Sequence, residues 1–276
     1  MIKIGQFNYL KIAQKTARGT FLFAGEFGQL FLPAKLTPSH CEVGDKIQVF
    51  LYQDANDKVV ATTQKPRVEI GGIACLKVVS VSKVGAFLDW GLPKDLFVPF
   101  GQQSKKMNPG EFHIVAVYED NTGRICGSSK LNRFVKPESK GLKTGQPVSL
   151  IVGDKTDLGT KMIVNQSYWG ILHESDRFRE IRYGQQLKGF IKNVRQDKRL
   201  DITLKKPGFE QNETLANKIL KHLAENNGHS TINDKAPPDL IYKTFGVSKK
   251  VYKAELGSLY KQRKITIDKS GIHLVE

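Results

Sequence analysis

Short runs in which apolar and polar residues alternate, closed by glycine or by Asn and Asp turns, fill the first three quarters of the chain and predict β-strands. Gly5, Gly71 and Gly145 each precede one such run, and Gly19, Gly85 and Gly159 each begin a second. A third run ends at Leu32-Pro33, Val98-Pro99 and Leu172-His173. Gly44, Gly110 and Gly184 open a fourth, and a fifth follows the polar turns at 54–57, 120–123 and 195–197. Corresponding landmarks are 66 residues apart between the first two units and 74 between the second and third. A constant offset through five landmarks marks an internal repeat. Each unit therefore holds five short strands in about 65–75 residues, the size and strand count of a five-stranded Greek-key barrel, the OB-fold. A single larger β-sandwich is the alternative.

From Glu210 the period changes. Asn212 or Thr214 can cap a run in which Leu215, Ala216, Ile219, Leu220 and Leu223 recur at helical spacing. Pro237-Pro238-Asp239 starts a short second helix, and Gly246-Val247-Ser248 turns into a third, from Lys249 to about Arg263, with Val251, Leu256 and Leu259 as its buried stripe and Gly257 for close approach of the first helix. Two short runs, 265–267 and 272–275, then flank a turn. Three helices and a hairpin are the order of a winged helix-turn-helix. The resulting expectation is a multidomain, mainly β chain: three tandem five-stranded OB-fold barrels at residues 1–66, 67–136 and 137–208, then an α/β winged helix-turn-helix domain at 209–276, with a linker near Lys136-Pro137-Glu138-Ser139.

Charge narrows the partner class. Of 276 residues, 43 are Lys or Arg and 27 Asp or Glu, a net charge of +16. All four segments share the excess and the third has most, +6. Such a balance attracts polyanions, nucleic acid before anionic membrane. No stretch approaches the roughly 18 consecutive apolar residues of a membrane span, and the first residues lack the apolar block of a secretion signal. Cys41, Cys75 and Cys126 are widely spaced and without a Cys-x-x-Cys, which favours buried thiols in a reducing cytoplasm.

Barrels bind single strands through outward aromatic rings and nearby cations. In 20–22 and 86–88 one residue of each Phe-Leu pair must face the core. At the matching place in the third unit stands Lys161, with Met162 beside it, so Phe21 and Phe87 are expected to point outward, barrel core being the other reading. The third unit adds Tyr168, Trp169 and His173, with Lys192, Lys198 and Arg199 on its last strands. Trp169 could equally cap the barrel end, and His173 a helix or a turn. In the last domain Lys249, Lys250 and Lys253 begin the third helix, and Arg263 and Lys264 approach the wing. Such a helix enters a nucleic-acid groove, unless this is a protein-binding winged helix with a solvated face. No nucleophile elbow, P-loop, His-Glu-x-x-His or paired carboxylates occur, so neither an enzyme, a metal, a cofactor nor a small-molecule substrate is expected.

The runs Val84-Gly85-Ala86-Phe87-Leu88 and Gly170-Ile171-Leu172-His173-Glu174-Ser175 resemble the Phe-Gly-x-Phe-Val and Gly-Leu-x-His-x-Ser motifs of the ribosomal-protein S-1 RNA-binding domain, and the ends at Arg124-Ile125 and 199–205 resemble its final strand. With 245–250 leading to 259–261, essentially the whole chain resembles the conserved virulence factor B family. That resemblance implies a cytoplasmic RNA-binding protein acting in post-transcriptional regulation, including virulence, in Gram-positive bacteria. The second motif Phe then falls on Phe21, Phe87 and Lys161 and the motif His on Pro33, Pro99 and His173, while the first motif Phe is replaced by Arg18, Val84 and Leu158. Implied partners are single-stranded RNA and the ribosome or mRNA-associated proteins. The third unit, with the motif His and the most charge, is the expected principal site. The rivals are a DNA-binding transcription regulator with protein-binding barrels, and a ribosome-associated scaffold.

Overall fold

The computed structural model describes residues 2–177, 179–205, 215–268 and 270–275. The expected helix caps Asn212 and Thr214, and the boundary at 208/209, lie outside them. The chain divides into two compact units, residues 1–174 with 180–203, and residues 175–179 with 204–276.

The first unit is three five-stranded barrels. Barrel one consists of β1 (Phe7–Thr16), β2 (Gly19–Phe23), β3 (Gln29–Pro33), β4 (Lys46–Gln53) and β5 (Val59–Thr62), ordered β3-β2-β1-β4-β5. Barrel two repeats it with β6 (Ile73–Val81), β7 (Gly85–Asp89), β8 (Leu96–Pro99), β9 (Phe112–Glu119) and β10 (Ile125–Ser128), and barrel three with β11 (Pro147–Thr156), β12 (Gly159–Val164), β13 (Tyr168–Leu172), β14 (Gln186–Val194) and β15 (Leu200–Thr203). Barrels two and three close by parallel pairs, β8 with β10 and β13 with β15. Barrel one is nearly closed, with no ladder between β3 and β5 among the described residues. The β-sandwich alternative is therefore excluded.

The repeat is kept pair by pair. Thr20↔Leu32, Ala86↔Val98 and Thr160↔Leu172 are matching partners, and β1, β6 and β11 shift register at matching places, after Ile12, Val78 and Val152. Such bulges bend the strands enough to roll the sheet. A side chain on Gly19, Gly85 or Gly159 would run into the carbonyl oxygen of Leu32, Val98 or Leu172. The repeated glycines thus permit the second strand to lie against the third.

Both barrel junctions are apolar. In β4, Ile47, Val49 and Leu51 fill barrel one, while Phe50 and Tyr52 join the core of barrel two. The Phe50 ring meets that of Trp90 edge-on at 5.9 Å. In β9, Val115 and Val117 fill barrel two, while Ile114 and Ala116, with Ile73 and Val135, pack on Ile151 and Ile163 of barrel three. Burying each such side chain contributes about 1.5–3 kcal/mol. The segment expected as a linker is instead fastened down. Lys136 N donates to Ser167 O, Trp169 N to Lys136 O, and both N and Oγ of Ser139 to Lys198 O.

The second unit contains α1 (Leu215–Glu225), β16 (His229–Ser230), α2 (Pro238–Phe245), α3 (Lys249–Lys261), β17 (Ile265–Ile267) and β18 (Ile272–Leu274), with sheet order β16-β18-β17. This is a winged helix whose extra strand β16 is too short for a sequence signal. Ser248 caps α3 by accepting from Val251 N. Two expectations are corrected. Val251 is exposed and Tyr252 takes its place in the core, because Tyr252 OH donates to Ile232 O at 2.7 Å and its ring stacks on Phe245. Gly257 faces open space, where an added Cβ would meet nothing, so it serves no close helix contact. Among the described residues no helix is long and apolar enough to cross a membrane.

Candidate nucleic-acid interface

Alternation along the second strand decides which rings face outward. Leu22, Leu88 and Met162 are fully buried, while Phe21, Phe87 and Lys161 lie on the other face, half-buried. Across the ladder they face Phe31, Phe97 and Ile171. Phe21 and Phe31 rings are 5.2 Å apart, and Phe87 and Phe97 5.3 Å. Sequence reasoning found one ring of each pair and missed Phe31 and Phe97; the signal was their alternation with Leu30, Leu32, Leu96 and Val98.

Phe87 and Phe97 line a pocket of about 250 Å³ at the junction of barrels one and two, together with Arg124 and Lys94. Asp57 takes up both cations, with Arg124 at 2.9 Å and Lys94 at 3.4 Å. Asp95 lines it as well. This pocket therefore offers phosphate little uncompensated charge. Arg18 is exposed in the turn between β1 and β2.

The junction of barrels two and three is electrostatically different. Two adjoining cavities of about 470 and 460 Å³ share Asn132, Lys161 and Trp169. Their walls carry Lys105, Lys130 and Arg133 from barrel two and Lys161, Arg195 and Arg199 from barrel three, against Asp154 as the one carboxylate among the described lining residues. Lys161 Nζ sits 3.7 Å from the Trp169 ring centroid. Burial pushes its pKa below the usual lysine value, and Asp154 acts the other way. The Trp169 ring packs in the cluster that joins the two barrels, so it does not cap a barrel end. Tyr168 lies half-buried on the same strand. The three barrel-two cations were beyond sequence reasoning, because the docking of one barrel on another brings them to the groove.

His173 caps no turn by its side chain in the hydrogen bonds described; its Nε2 lies 3.1 Å from Asp201 Oδ1, and Arg195 Nε lies 3.3 Å from Asp201 Oδ2. The carboxylate thus ties β13, the β14–β15 turn and β15 together, and holds Arg195 at the groove. Arg199 is exposed at 3.6 Å from Asp197, while Lys192 and Lys198 are exposed on the same end of barrel three.

In the winged helix the lysines divide. Lys249 Nζ donates to Ala236 O, and Lys253 pairs with Asp234 at 3.5 Å. Lys250 is exposed, as are Ala254, Gly257 and Lys261 on successive turns of α3, and Arg263 and Lys264 before the wing. That face is basic. Among the described residues no cluster of three His, Cys, Asp or Glu could hold a metal ion.

Comparison with known proteins follows the same divisions. The S1 domain matches residues 4–64, the second domain of virulence regulatory factor CvfB matches 142–206, and the CvfB-like winged helix domain matches 217–274. Conserved virulence factor B of Staphylococcus epidermidis (strain ATCC 12228) is 25% identical over 99% of this chain and 95% of its own length. Its counterpart in Staphylococcus aureus (strain USA300) is 24% identical over 99% and 94%. Among solved structures, a multidomain protein with nucleic acid binding domains from Streptococcus pneumoniae is 29% identical, over 99% of this chain and 98% of that one, with a TM-score of 0.44.

Proposed function

The chain belongs to the conserved virulence factor B family, and we propose that it binds single-stranded RNA without catalysis, as a cytoplasmic post-transcriptional regulator. A nucleic-acid-binding regulator is what this domain set supports. The single strand is our own reading, and one observation carries it: the groove between barrels two and three has six cations, Lys161 against Trp169 among them, of which Lys105, Arg195 and Arg199 pair with Asp154, Asp201 and Asp197, while Lys130, Arg133 and Lys161 have no ion pair among the described residues. A duplex needs a broad convex or helical reader. A strand needs a narrow basic cleft with aromatic ring faces, because its phosphates and unpaired bases present themselves separately.

The experiment is fluorescence anisotropy of the full chain with a 12-nucleotide RNA strand and with duplex DNA of equal charge, each at two salt concentrations. The strand is expected to bind more tightly, and binding to weaken steeply with salt. Lys130→Ala, Arg133→Ala and Arg199→Ala together should lower the slope of log affinity against log salt by about 2, or about 0.7 for each phosphate no longer neutralised. Tighter duplex binding, unaffected by these changes, would overturn the proposal and favour the second reading, in which the Lys250 and Lys261 face of α3 enters a duplex groove.

A further inference from the structure

The same ladder row crosses the outer face of each barrel, and its residues meet three different fates. In barrel three the row runs Trp169, Ile163, Ile151, Gln186. Ile163 and Ile151 are buried at 0% and 5% exposure beneath Ile73, Ile114 and Ala116 of barrel two. In barrel two the row contains Asp89, Lys77 and Phe112, and Arg67 binds Asp89 at 2.6 Å, so acid and base neutralise one another there. In barrel one the row is Gln29, Phe23, Lys11, Lys46.

That last row is open. Phe23 is 58% exposed, Phe31 41%, and Tyr9, two residues from Lys11 on the same face, 68%. Strands β1 to β4 contain no Asp or Glu. Neighbouring strands lie about 4.8 Å apart, so the exposed rings of β1, β2 and β3 and the lysines of β1 and β4 form one continuous surface. We infer that the outer face of barrel one, built on Tyr9, Phe23 and Phe31 with Lys11 and Lys46, is a second platform for single-stranded RNA, separate from the groove between barrels two and three.

Charge selects this occupant over a protein. Where the row serves as a docking surface, in barrel three, it is apolar and uncharged; Lys11 and Lys46 in a dry interface would lose hydration without a facing carboxylate. A polyanion supplies both a counter-charge for the lysines and flat faces for the rings. With stacking on three rings, each worth about 5- to 150-fold in affinity, and few phosphate contacts, the platform binds with shallow salt dependence. Two platforms within one compact unit raise affinity for strands long enough to reach both.

The inference rests on the single-strand reading above, and the test separates the two. A 4-thiouridine RNA of 30 nucleotides is bound to the full chain, crosslinked, and the adducts mapped by mass spectrometry, with anisotropy run in parallel on two variants. Adducts at residues 7–33, and at least a 5-fold loss of affinity in Tyr9→Ala/Phe23→Ala with an unchanged melting temperature, are expected. The groove variant Lys130→Ala/Arg133→Ala/Arg199→Ala should then retain residual binding with a shallower salt slope than the parent. Complete loss in the groove variant, with Tyr9→Ala/Phe23→Ala binding as the parent does, overturns the platform and leaves the function intact. Absence of any strand binding by the parent overturns both, and a dimer dispersed by Tyr9→Ala/Phe23→Ala then identifies the face as a contact between copies.

Discussion

The Lys161 ammonium lies 3.7 Å above the centroid of the Trp169 ring, and the indole Nε1 of that ring is a buried donor without a hydrogen-bond partner among the described residues. A cation on an aromatic face contributes about 0.5–2 kcal/mol. An unpaired buried donor costs about 1–3 kcal/mol. The two effects nearly cancel, so Trp169 is held there mainly by its apolar contacts with barrel two.

Replacement of that ring separates these contributions. Trp169→Phe keeps a ring beneath Lys161 and removes the donor, and its urea unfolding free energy should fall within about 1 kcal/mol of the parent. Trp169→Ala opens the shared cluster and should cost about 3–5 kcal/mol. Equal losses in both variants would show that the indole nitrogen has a partner.

Phe50 and Phe87 should respond differently to truncation. Phe50 is fully buried between barrels one and two, so Phe50→Ala is expected to cost about 3–5 kcal/mol in urea unfolding. Phe87 is half-buried against Phe97, and Phe87→Ala should cost about half as much. A loss at Phe87 as large as that at Phe50 would place its ring in the core.

Cutting the chain at 136/137 should damage both pieces. The cut leaves Ile73, Ile114, Ala116 and Val135 on one fragment and Ile151 and Ile163 on the other, where the intact chain buries them together. Each fragment is expected to melt well below the parent or to aggregate, as followed by circular dichroism and light scattering. Two monomeric fragments melting at the parental temperature would disprove the shared core. Binding tests on the full chain with point variants are therefore the sound route to the site.

Burial pushes the thiols of Cys75 and Cys126 up to about 11, with Asp120 adding to the effect at Cys126. Only the thiolate is alkylated, so at pH 8 both should react with iodoacetamide far more slowly than in the urea-unfolded chain. The sign for stability follows. A folded-state value raised above the unfolded 9.0 leaves the contribution intact below pH 9 and removes it as pH rises towards 11. Peptide mass spectrometry of timed alkylation, with urea midpoints at pH 8 and pH 10.5, checks both statements; fast labelling of folded Cys126 at pH 8 would contradict them.

Much of this architecture is written locally. Alternation with period two, a glycine wherever one strand presses on the next, and Asn or Asp turns depend on a few adjacent residues, so five strands per unit, their constant offsets and the inward side of Leu22, Leu88 and Met162 could be read along the chain. The helical period of 215–223 and the break at Gly246 were equally local. Val251 was misread as core because a Val is the more hydrophobic neighbour, while the buried Tyr252 needs the Ile232 carbonyl, which only the folded domain brings to its hydroxyl.

The fate of each outer face was settled elsewhere. Phe23, Asp89 and Ile163 hold one position in three copies of the same barrel, yet the first is open, the second is paired with Arg67 and the third is buried. Strands apolar on both faces, Phe50-Leu51-Tyr52 in β4 and Ile114 to Val117 in β9, announce that a second surface must be covered. They do not say by what, because burial of apolar area is favourable against any complementary apolar surface. Sequence therefore determined the barrels, their number and their inside; the tertiary structure decided which barrel lies on which, and with that where cations gather into a groove and which aromatic face stays in water.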